Sequence, residues 1–440
     1  MPSNASVIVR AEIPAGPEVL SSVMTAITMA GGEVSGMDAV RSTRETITRD
    51  IVIEGPDDSA IDNIVNSLRG VTGVTVHGVT NAVLQAHEGG MLTMRTRAPV
   101  RNRDDLSMAY TPGVARVCMA IHDDFDRAWD LTIKGNSVMV ISDGSALVGQ
   151  GDLGPLASLP VLEALSLFMR EMADVDAFPL PIDLDDPAEI ADTAIKISSV
   201  FGGIHVADIS APNCFEVMDL LRAALDIPVI HGDGDGTAIS LLAGAMNGLT
   251  VVGKNITGAS ICVAGSGPGA LAFRRFAEKA GAAEVRIAET DEATHDLLKG
   301  ADAYVGVSSP AVLTADDLKA MNADPVVLAL GMPDPELHGP DAAGAAVYAT
   351  ARPDMPNQIN STLSFPGIWR GLLDVRATEA CDDALMAAAC AIANVVVEEG
   401  ALSADYIVPS VFNKRLVPAV AAAVKDASHR AGTARVAATA

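Results

Sequence analysis

A glycine-rich stretch in the second half of the chain has the residue types and spacing needed to bind a dinucleotide. Residues 265–270 (GSGPGA) follow an apolar segment, Ser260 to Ala264, that predicts a strand, and they open a predicted helix. Glycines in such a turn permit a tight bend and let the backbone approach a pyrophosphate. The free N–H groups at the start of the helix then face that anion. This strand–turn–helix context predicts a Rossmann nucleotide site whose cofactor contacts are Gly265, Ser266, Gly267 and Pro268.

Two further positions extend this predicted site. Glu289 ends the next predicted strand, about twenty residues beyond the glycines, where an acid accepts hydrogen bonds from both ribose hydroxyls and repels a 2′-phosphate. The sequence therefore favours NAD over NADP as the cofactor. Val307 and Ser308 follow a later predicted strand at its carboxyl end, where the nicotinamide half of the cofactor would run.

Longer motifs in the middle of the chain resemble one enzyme family. The stretches AYTPGVA (109–115), ISDGS (141–145), GDLGPLASLPV (151–161) and DISAP (208–212) are similar to those of compact bacterial malic enzymes. The resemblance runs from about residue 98 to the C-terminus. It implies an oxidoreductase that oxidises malate at its hydroxyl with a nicotinamide cofactor and then decarboxylates the keto acid. It also implies a homodimer or a larger homo-oligomer.

The resemblance assigns roles to individual residues. Tyr110, in AYTPGVA, matches the family's Tyr acid. Asp208 and Asp233 match two of three family carboxylates that hold Mg²⁺ or Mn²⁺. Thr237 matches a position that faces the cofactor, and Asn360 matches an amide on the substrate side.

Several other family positions carry different residues here. Leu165, in LPVLEALSLF, stands where the family has a Lys base, and a Leu side chain cannot move a proton. Ala207 replaces a Glu ligand of the metal. Gly232, Met332 and Ser361 replace further polar residues on the metal and substrate side. This distribution predicts an intact dinucleotide site beside an altered catalytic site with weakened affinity for Mg²⁺ or Mn²⁺.

Asp235 is an acid that the family pattern lacks. It lies two residues after Asp233 in HGDGDG (231–236), a stretch similar to a calcium-binding loop. A calcium loop starting at Asp233 would have Gly244 at its twelfth position, where a Glu is needed, so that interpretation is excluded. Two alternatives remain for Asp235, a replacement metal ligand or a solvated turn residue, and the second is favoured.

The chain is predicted to have an α/β fold with three domains. In residues 1–85 the order strand, helix, strand, strand, helix, strand is the ferredoxin-like pattern, with the last strand expected at Val71 to Val76. This order resembles an ACT domain, which implies edge-to-edge pairing and a small effector; a packing module without ligand is the alternative. Residues 86–250 are expected to form the substrate domain. Residues 251–440 are expected to form the Rossmann domain with a C-terminal helical segment.

Composition excludes several other classes of protein. The net charge of −26 repels phosphate backbones, so nucleic acid is not an expected partner. No apolar run reaches the ~18 residues of a membrane-spanning helix, and the N-terminus has no signal-peptide pattern. The five cysteines form no CxxC motif, which indicates a reducing compartment. A soluble cytoplasmic protein is expected.

Three functions fit this pattern, in order of preference. The first is an NAD-dependent oxidoreductase redirected to a malate-like 2-hydroxy or 2-oxo acid. The second is a malic enzyme of reduced activity. The third is a non-catalytic, nucleotide-binding regulatory subunit.

Overall fold

The computed structural model describes residues 5–55, 58–307, 313–332, 334–337 and 339–437. The chain divides into two compact units, Met1–Thr93 and Met94–Ala440. Within these described ranges, the first unit contains one sheet and the second contains two.

The first unit has the predicted ferredoxin-like order of elements. Its antiparallel sheet has the strand order β2-β3-β1-β4. Alternate residues of the first strand (Val7, Val9, Ala11 and Ile13) are buried, as period-two patterning requires. The elements are β1 (Ala5–Pro14), α1 (Pro17–Met29), β2 (Glu33–Ser42), β3 (Thr46–Gly55), α2 (Asp58–Arg69), β4 (Thr75–Asn81) and α3 (Ala82–Ala86).

The fourth strand lies further along the chain than the predicted Val71 to Val76. Residues 71–74 form a turn in which Val74 N–H donates to Val71 O, and Gly73 has a φ of +84°. A residue with positive φ cannot continue a strand, so β4 begins at Thr75. The ACT resemblance of this unit stays a prediction.

The second unit begins with a helical region followed by a parallel sheet. This sheet has the strand order β6-β5-β7-β8. The two central strands, β5 and β7, are buried along their whole length, as parallel strands usually are. The elements are α4 (Arg103–Ala109), α5 (Gly113–Asp123), α6 (Ala128–Leu131), β5 (Ser137–Ser142), α7 (Pro155–Ala173), β6 (Asp176–Pro181), α8 (Pro187–Ile197), β7 (Gly203–Val206), α9 (Asn213–Ala224), β8 (Val229–His231) and α10 (Thr237–Val251).

A second parallel sheet and three long helices complete the unit. The sheet has the strand order β10-β9-β11-β12-β13, which agrees with the predicted Rossmann fold. Its elements are β9 (Ser260–Ala264), α11 (Pro268–Lys279), β10 (Glu284–Ala288), α12 (Asp291–Leu297), β11 (Ala303–Gly306), α13 (Ala315–Leu318), β12 (Val326–Ala329) and β13 (Val347–Thr350). The C-terminal helices are α14 (Phe365–Asp374), α15 (Asp382–Glu398) and α16 (Leu416–Ala431).

One large apolar core joins both sheets of the second unit. It contains Val138 of β5, Leu249 of α10, Val263 of β9 and Ile392 of α15. The C-terminal helices therefore pack against both halves of the unit. The domain boundaries at residues 85 and 250 stay a prediction. Within the described part of the chain, every helix is too short or too polar to cross a membrane.

Candidate active site

Three aspartates follow neighbouring strands of the first parallel sheet. Asp143 follows β5, Asp208 lies just beyond β7, and Asp233 lies just beyond β8. Carboxyl ends of parallel strands meet at one edge of a sheet, which is where ligands bind in α/β folds. Hydrogen bonds tie these loops together, since Ser210 N–H donates to Ser145 Oγ and Ala146 N–H donates to Asp208 O.

The structure brings Asp208 and Asp233 together; their role as metal ligands stays a prediction. Asp208 N–H donates to Asp233 Oδ2 at 2.8 Å. Asp208 is 3% exposed and its backbone has a φ of +51°. Burial, followed by the negative charges of Asp233 and Asp143, raises the pKa of Asp208 to about 7.

These residues do not complete a cation site. Ala207 is buried and offers no ligand atom. One oxygen of Asp233 already accepts the Asp208 N–H. Among the residues described, no group of three or more His, Cys, Asp or Glu side chains could hold a metal ion. Mg²⁺ and Mn²⁺ prefer several oxygen ligands, so the donor set present does not fit them.

Asp235 has neither of the two expected roles. Its side chain is 5% exposed, so it is not a solvated turn residue. Its oxygens accept hydrogen bonds from Arg222 Nη2 at 2.9 Å and Arg275 Nη2 at 2.6 Å. The backbone N–H of His231 also donates to it. Because its carboxylate is engaged by two guanidinium groups, it is not available as a metal ligand.

The dinucleotide turn has the geometry that binding requires. Gly265 has a φ of +119°, which favours glycine, and its N–H donates to Ala288 O. A Cβ on Gly267 would meet no atom within 4 Å, so the space beside it is open. Pro268 begins α11, and no side chain caps the helix, so its first N–H groups can bind an anion. Ser266 is exposed next to this opening. The turn therefore fits a pyrophosphate.

Gly269 is the point where the dinucleotide helix meets the rest of the site. A Cβ built there would lie 3.1 Å from Asp233 O, 3.7 Å from Thr237 Cγ2 and 4.0 Å from Val307 Cγ1. Thr237 and Val307, both predicted to face the cofactor, thus lie beside the start of α11. Ser308, the other predicted residue of that loop, lies outside the described residues.

Glu289 and Asn360 each adjoin a different part of this region. Glu289 is exposed immediately after β10, whose last residue bonds to the glycine turn. Asn360 Oδ1 accepts from Thr362 N–H, and its amide nitrogen has no described protein partner. The residues after Asn360 contact residues 231–237, which we call the aspartate loop, because Ser364 Oγ donates to Gly236 O.

Tyr110 is not brought to the aspartates within its own chain. It follows α4 and is 68% exposed. No hydrogen bond or ion pair between described residues joins it to Asp208 or Asp233. Leu165, at the family's Lys position, is half-buried on α7 and packs against the main core. Met332 is also half-buried.

Two buried histidines that lie beside the aspartate loop were not predicted from the sequence. His205 of β7 is 0% exposed, and a Cβ on Gly232 would lie 2.5 Å from its Nε2. His231 Nδ1 accepts from Gly234 N–H. The one indication in the sequence was Gly232, because a residue without a side chain leaves room for the ring of His205. Arg222 and Arg275 were missed because their partner, Asp235, is distant in sequence from Arg275.

Comparison with known proteins identifies the family. A family model for the N-terminal domain of malic enzyme matches residues 91–222. The NAD-dependent malic enzyme of Geobacillus stearothermophilus is 41% identical over 444 residues, which cover 94% of this chain and 92% of that protein. NAD-dependent malic enzyme 1 of Bacillus subtilis (strain 168) is 33% identical, with 95% and 96% covered.

A solved structure supports the same assignment. The crystal structure of malic enzyme from Pyrococcus horikoshii Ot3 matches with a TM-score of 0.77 and 36% identity, over 81% of this chain and 92% of that one. Similarity of this extent, in sequence and in fold, shows that the chain belongs to the malic enzyme family of oxidoreductases.

Proposed function

We propose that this protein is an NAD-dependent oxidoreductase that acts on a malate-like 2-hydroxy or 2-oxo acid with altered specificity or chemistry. The observation that carries the proposal is the contrast at Gly269. On one side lies an open glycine turn with a free helix N-terminus, and on the other an aspartate loop without a third ligand. The names of two similar bacterial proteins, both NAD-dependent malic enzymes, support NAD as the cofactor.

Each described residue then has a distinct task. NAD, when bound, accepts the hydride that leaves the hydroxyl-bearing carbon. Gly267 and the first N–H groups of α11 hold the pyrophosphate, and Glu289 accepts hydrogen bonds from the ribose. The free amide nitrogen of Asn360 can donate to a substrate carboxylate. Leu165 cannot take the hydroxyl proton, so proton removal must differ from that of an enzyme with Lys at this position.

A second candidate function is NAD-dependent malic enzyme activity of reduced rate, from malate to pyruvate and CO₂. The extent of identity with the Geobacillus stearothermophilus protein favours it. Asp208 and Asp233 are retained and adjacent, which leaves a partial set of oxygen ligands. A non-catalytic, nucleotide-binding regulatory subunit is the third candidate, and only the missing Lys and Glu favour it.

We infer that the chain forms a homodimer or a larger homo-oligomer. Large apolar side chains are exposed repeatedly between residues 106 and 161, among them Met108, Phe125 and Leu156. Exposed apolar surface of this kind usually marks an interaction site. Tyr110, exposed among these residues, would then lie at or near a subunit boundary. A small effector at the ACT-like domain stays a proposal that rests on the resemblance.

We place the protein in the cytoplasm. All five cysteines are free, and burial raises the pKa of the Cys214 and Cys262 thiols to about 11. Buried thiols of this kind are inert small apolar groups, which suits a reducing compartment.

The test is hydride transfer from a panel of 2-hydroxy acids, including malate, with and without Mn²⁺. We expect the protein to reduce NAD⁺ with at least one acid and to act poorly on malate. The Leu165→Lys, Ala207→Glu double variant should raise kcat/KM for malate with Mn²⁺ by about a hundredfold, the scale of one general base.

Glu171→Lys is the matched control, because it places a Lys side chain at an exposed position of α7 outside residues 106–161. It should leave the rate on malate unchanged. A high rate on malate in the unmodified protein, with no gain in the double variant, would refute the altered-site proposal and favour ordinary malic enzyme activity. Absence of any NAD⁺ reduction would favour the regulatory subunit.

A further inference from the structure

Asp235 binds two arginines that belong to different helices. Arg222 lies in α9, which covers the substrate-side sheet, and Arg275 lies in α11, the helix of the dinucleotide turn. The carboxylate oxygens take one guanidinium each, at 2.9 Å and 2.6 Å. A single buried side chain therefore joins the two halves of the site.

The contacts of both arginines restrict their movement. Arg222 Nη2 also lies 3.4 Å from Val229 O at the start of β8. The Arg275 guanidinium lies 4.5 Å from the Phe276 ring centre and 3.6 Å from Asp382. Charge-assisted hydrogen bonds to a carboxylate that is shielded from water are stronger and more directional than neutral ones.

The segment that carries Asp235 also carries two residues with proposed roles at the metal position and the cofactor. Asp233 lies two residues before it and Thr237 two residues after it. The loop already touches the beginning of α11, where Asp233 O would lie 3.1 Å from a Cβ on Gly269. Arg275 attaches the same loop to a point nearly two turns further along the helix. Two separate contacts along one helix fix both the position and the tilt of the loop.

We propose that Asp235 is a positioning residue that holds residues 231–237, a π-helical turn that leads into α10, in register with the nucleotide-binding end of α11. Neither the carboxylate nor its arginines touch the reacting atoms. Their effect is to set where Asp233 and Thr237 lie relative to the bound dinucleotide. The inference rests on the proposed function where it concerns the reaction. Its consequence for NAD binding does not depend on which reaction is catalysed.

Binding of NAD⁺ by titration calorimetry tests the inference without turnover. Asp235→Asn keeps the shape of the side chain and removes its charge. We expect it to raise the Kd for NAD⁺ by about tenfold, the lower end of the loss when a supporting contact is removed. Arg275→Gln should produce a similar rise, and the Asp235→Asn, Arg275→Gln double variant should be no weaker than either single variant, because both act through one contact.

Asp383→Asn is the matched control. It removes a 2.7 Å ion pair that α11 makes through Lys279 to α15, away from the loop. It should leave the Kd for NAD⁺ within about twofold, since exposed ion pairs contribute little.

The results separate this inference from the proposed function. Unmodified protein that fails to bind NAD⁺ contradicts the proposed function. If Asp235→Asn and Arg275→Gln bind NAD⁺ as tightly as the unmodified protein does, the ion pairs are only structural and the inference is overturned. This holds even if the two variants have lowered thermal stability. Where Asp235→Asn does not fold, Arg275→Gln decides alone, because it leaves Asp235 paired with Arg222.

Discussion

At the scale of single residues, the ring of His205 fills the space that a side chain at position 232 would need. Trp369 Nε1 donates to His205 Nδ1 at 3.1 Å, so the proton of the neutral ring lies on Nε2. That Nε2 atom is buried and has no hydrogen-bond partner among the described residues. The resemblance implies a polar residue at position 232 in the family, and any side chain there would collide with His205. The loss of a polar side chain in the loop and the presence of a buried histidine therefore go together.

His205 gives the stability of the protein a specific pH dependence. Burial, followed by repulsion from His231, lowers its pKa from 6.5 to about 3. The unfolded chain therefore takes up the proton first as the pH falls. Its contribution to the free energy of unfolding is complete above pH 6.5 and is lost between about pH 6.5 and 3, by roughly 1.4 kcal/mol per pH unit.

The His205→Gln variant tests this dependence by chemical unfolding between pH 7 and 4.5. Gln cannot titrate but can still accept from Trp369, so the slope of stability against pH should be shallower than in the unmodified protein. His122→Gln, which changes an exposed histidine, should keep the original slope. Equal slopes in all three proteins would contradict the buried neutral state of His205.

The residue scale also shows where sequence-based prediction fails. Leu165 and Ala207 were identified from motifs alone, because a substituted position is visible in a linear pattern. The role of Asp235 was not, because its partner Arg275 is 40 residues away and the pair forms only when the turn after β8 packs against α11. A carboxylate between glycines looks solvated in sequence, and only folding buries it.

At the scale of elements, the start of α11 is the best-defined part of the site. Its predicted strand, turn and helix are all present, and the bounds of β9 agree with the predicted Ser260 to Ala264. Local glycine chemistry and apolar periodicity were sufficient there, because both act over a few neighbouring residues. The predicted bounds of β4 were wrong because they were taken from its valines alone. The position of this strand depends instead on its pairing with β1, which is distant in sequence.

Gly267 provides the prediction at this scale. Its φ of −75° suits any residue, and a Cβ there meets open space, so Gly267→Val should fold with nearly unchanged thermal stability. The added side chain would fill the space that the pyrophosphate needs and should raise the Kd for NAD⁺ by about tenfold or more.

Gly78→Val is the control for this substitution. Gly78 lies in β4 of the first unit and also has no atom within 4 Å of a built Cβ. It should not change the Kd for NAD⁺. A Gly267→Val protein that binds NAD⁺ normally would show that the cofactor does not use this turn.

At the scale of the whole molecule, one apolar core joins the sheet that carries the aspartates to the sheet that carries the dinucleotide turn. The parallel sheets, their strand order and the return of the C-terminal helices agree with the α/β fold expected from the sequence. The scaffold was predictable because long motifs and periodic apolar segments specify it. The surroundings of Asp208, Asp233 and Asp235 were not predictable, since no linear pattern reveals that His205, Arg222 and Arg275 lie among them.

The most direct measurement compares NAD⁺ and Mn²⁺ binding to the same protein by calorimetry, with Ala207→Glu as the second sample. We predict a Kd for NAD⁺ below about 1 mM, the usual scale for enzyme ligands, and a Kd for Mn²⁺ above it. Ala207→Glu should tighten Mn²⁺ binding by about tenfold or more and leave NAD⁺ unaffected. Micromolar Mn²⁺ binding by the unmodified protein, with no gain from Ala207→Glu, would contradict the account.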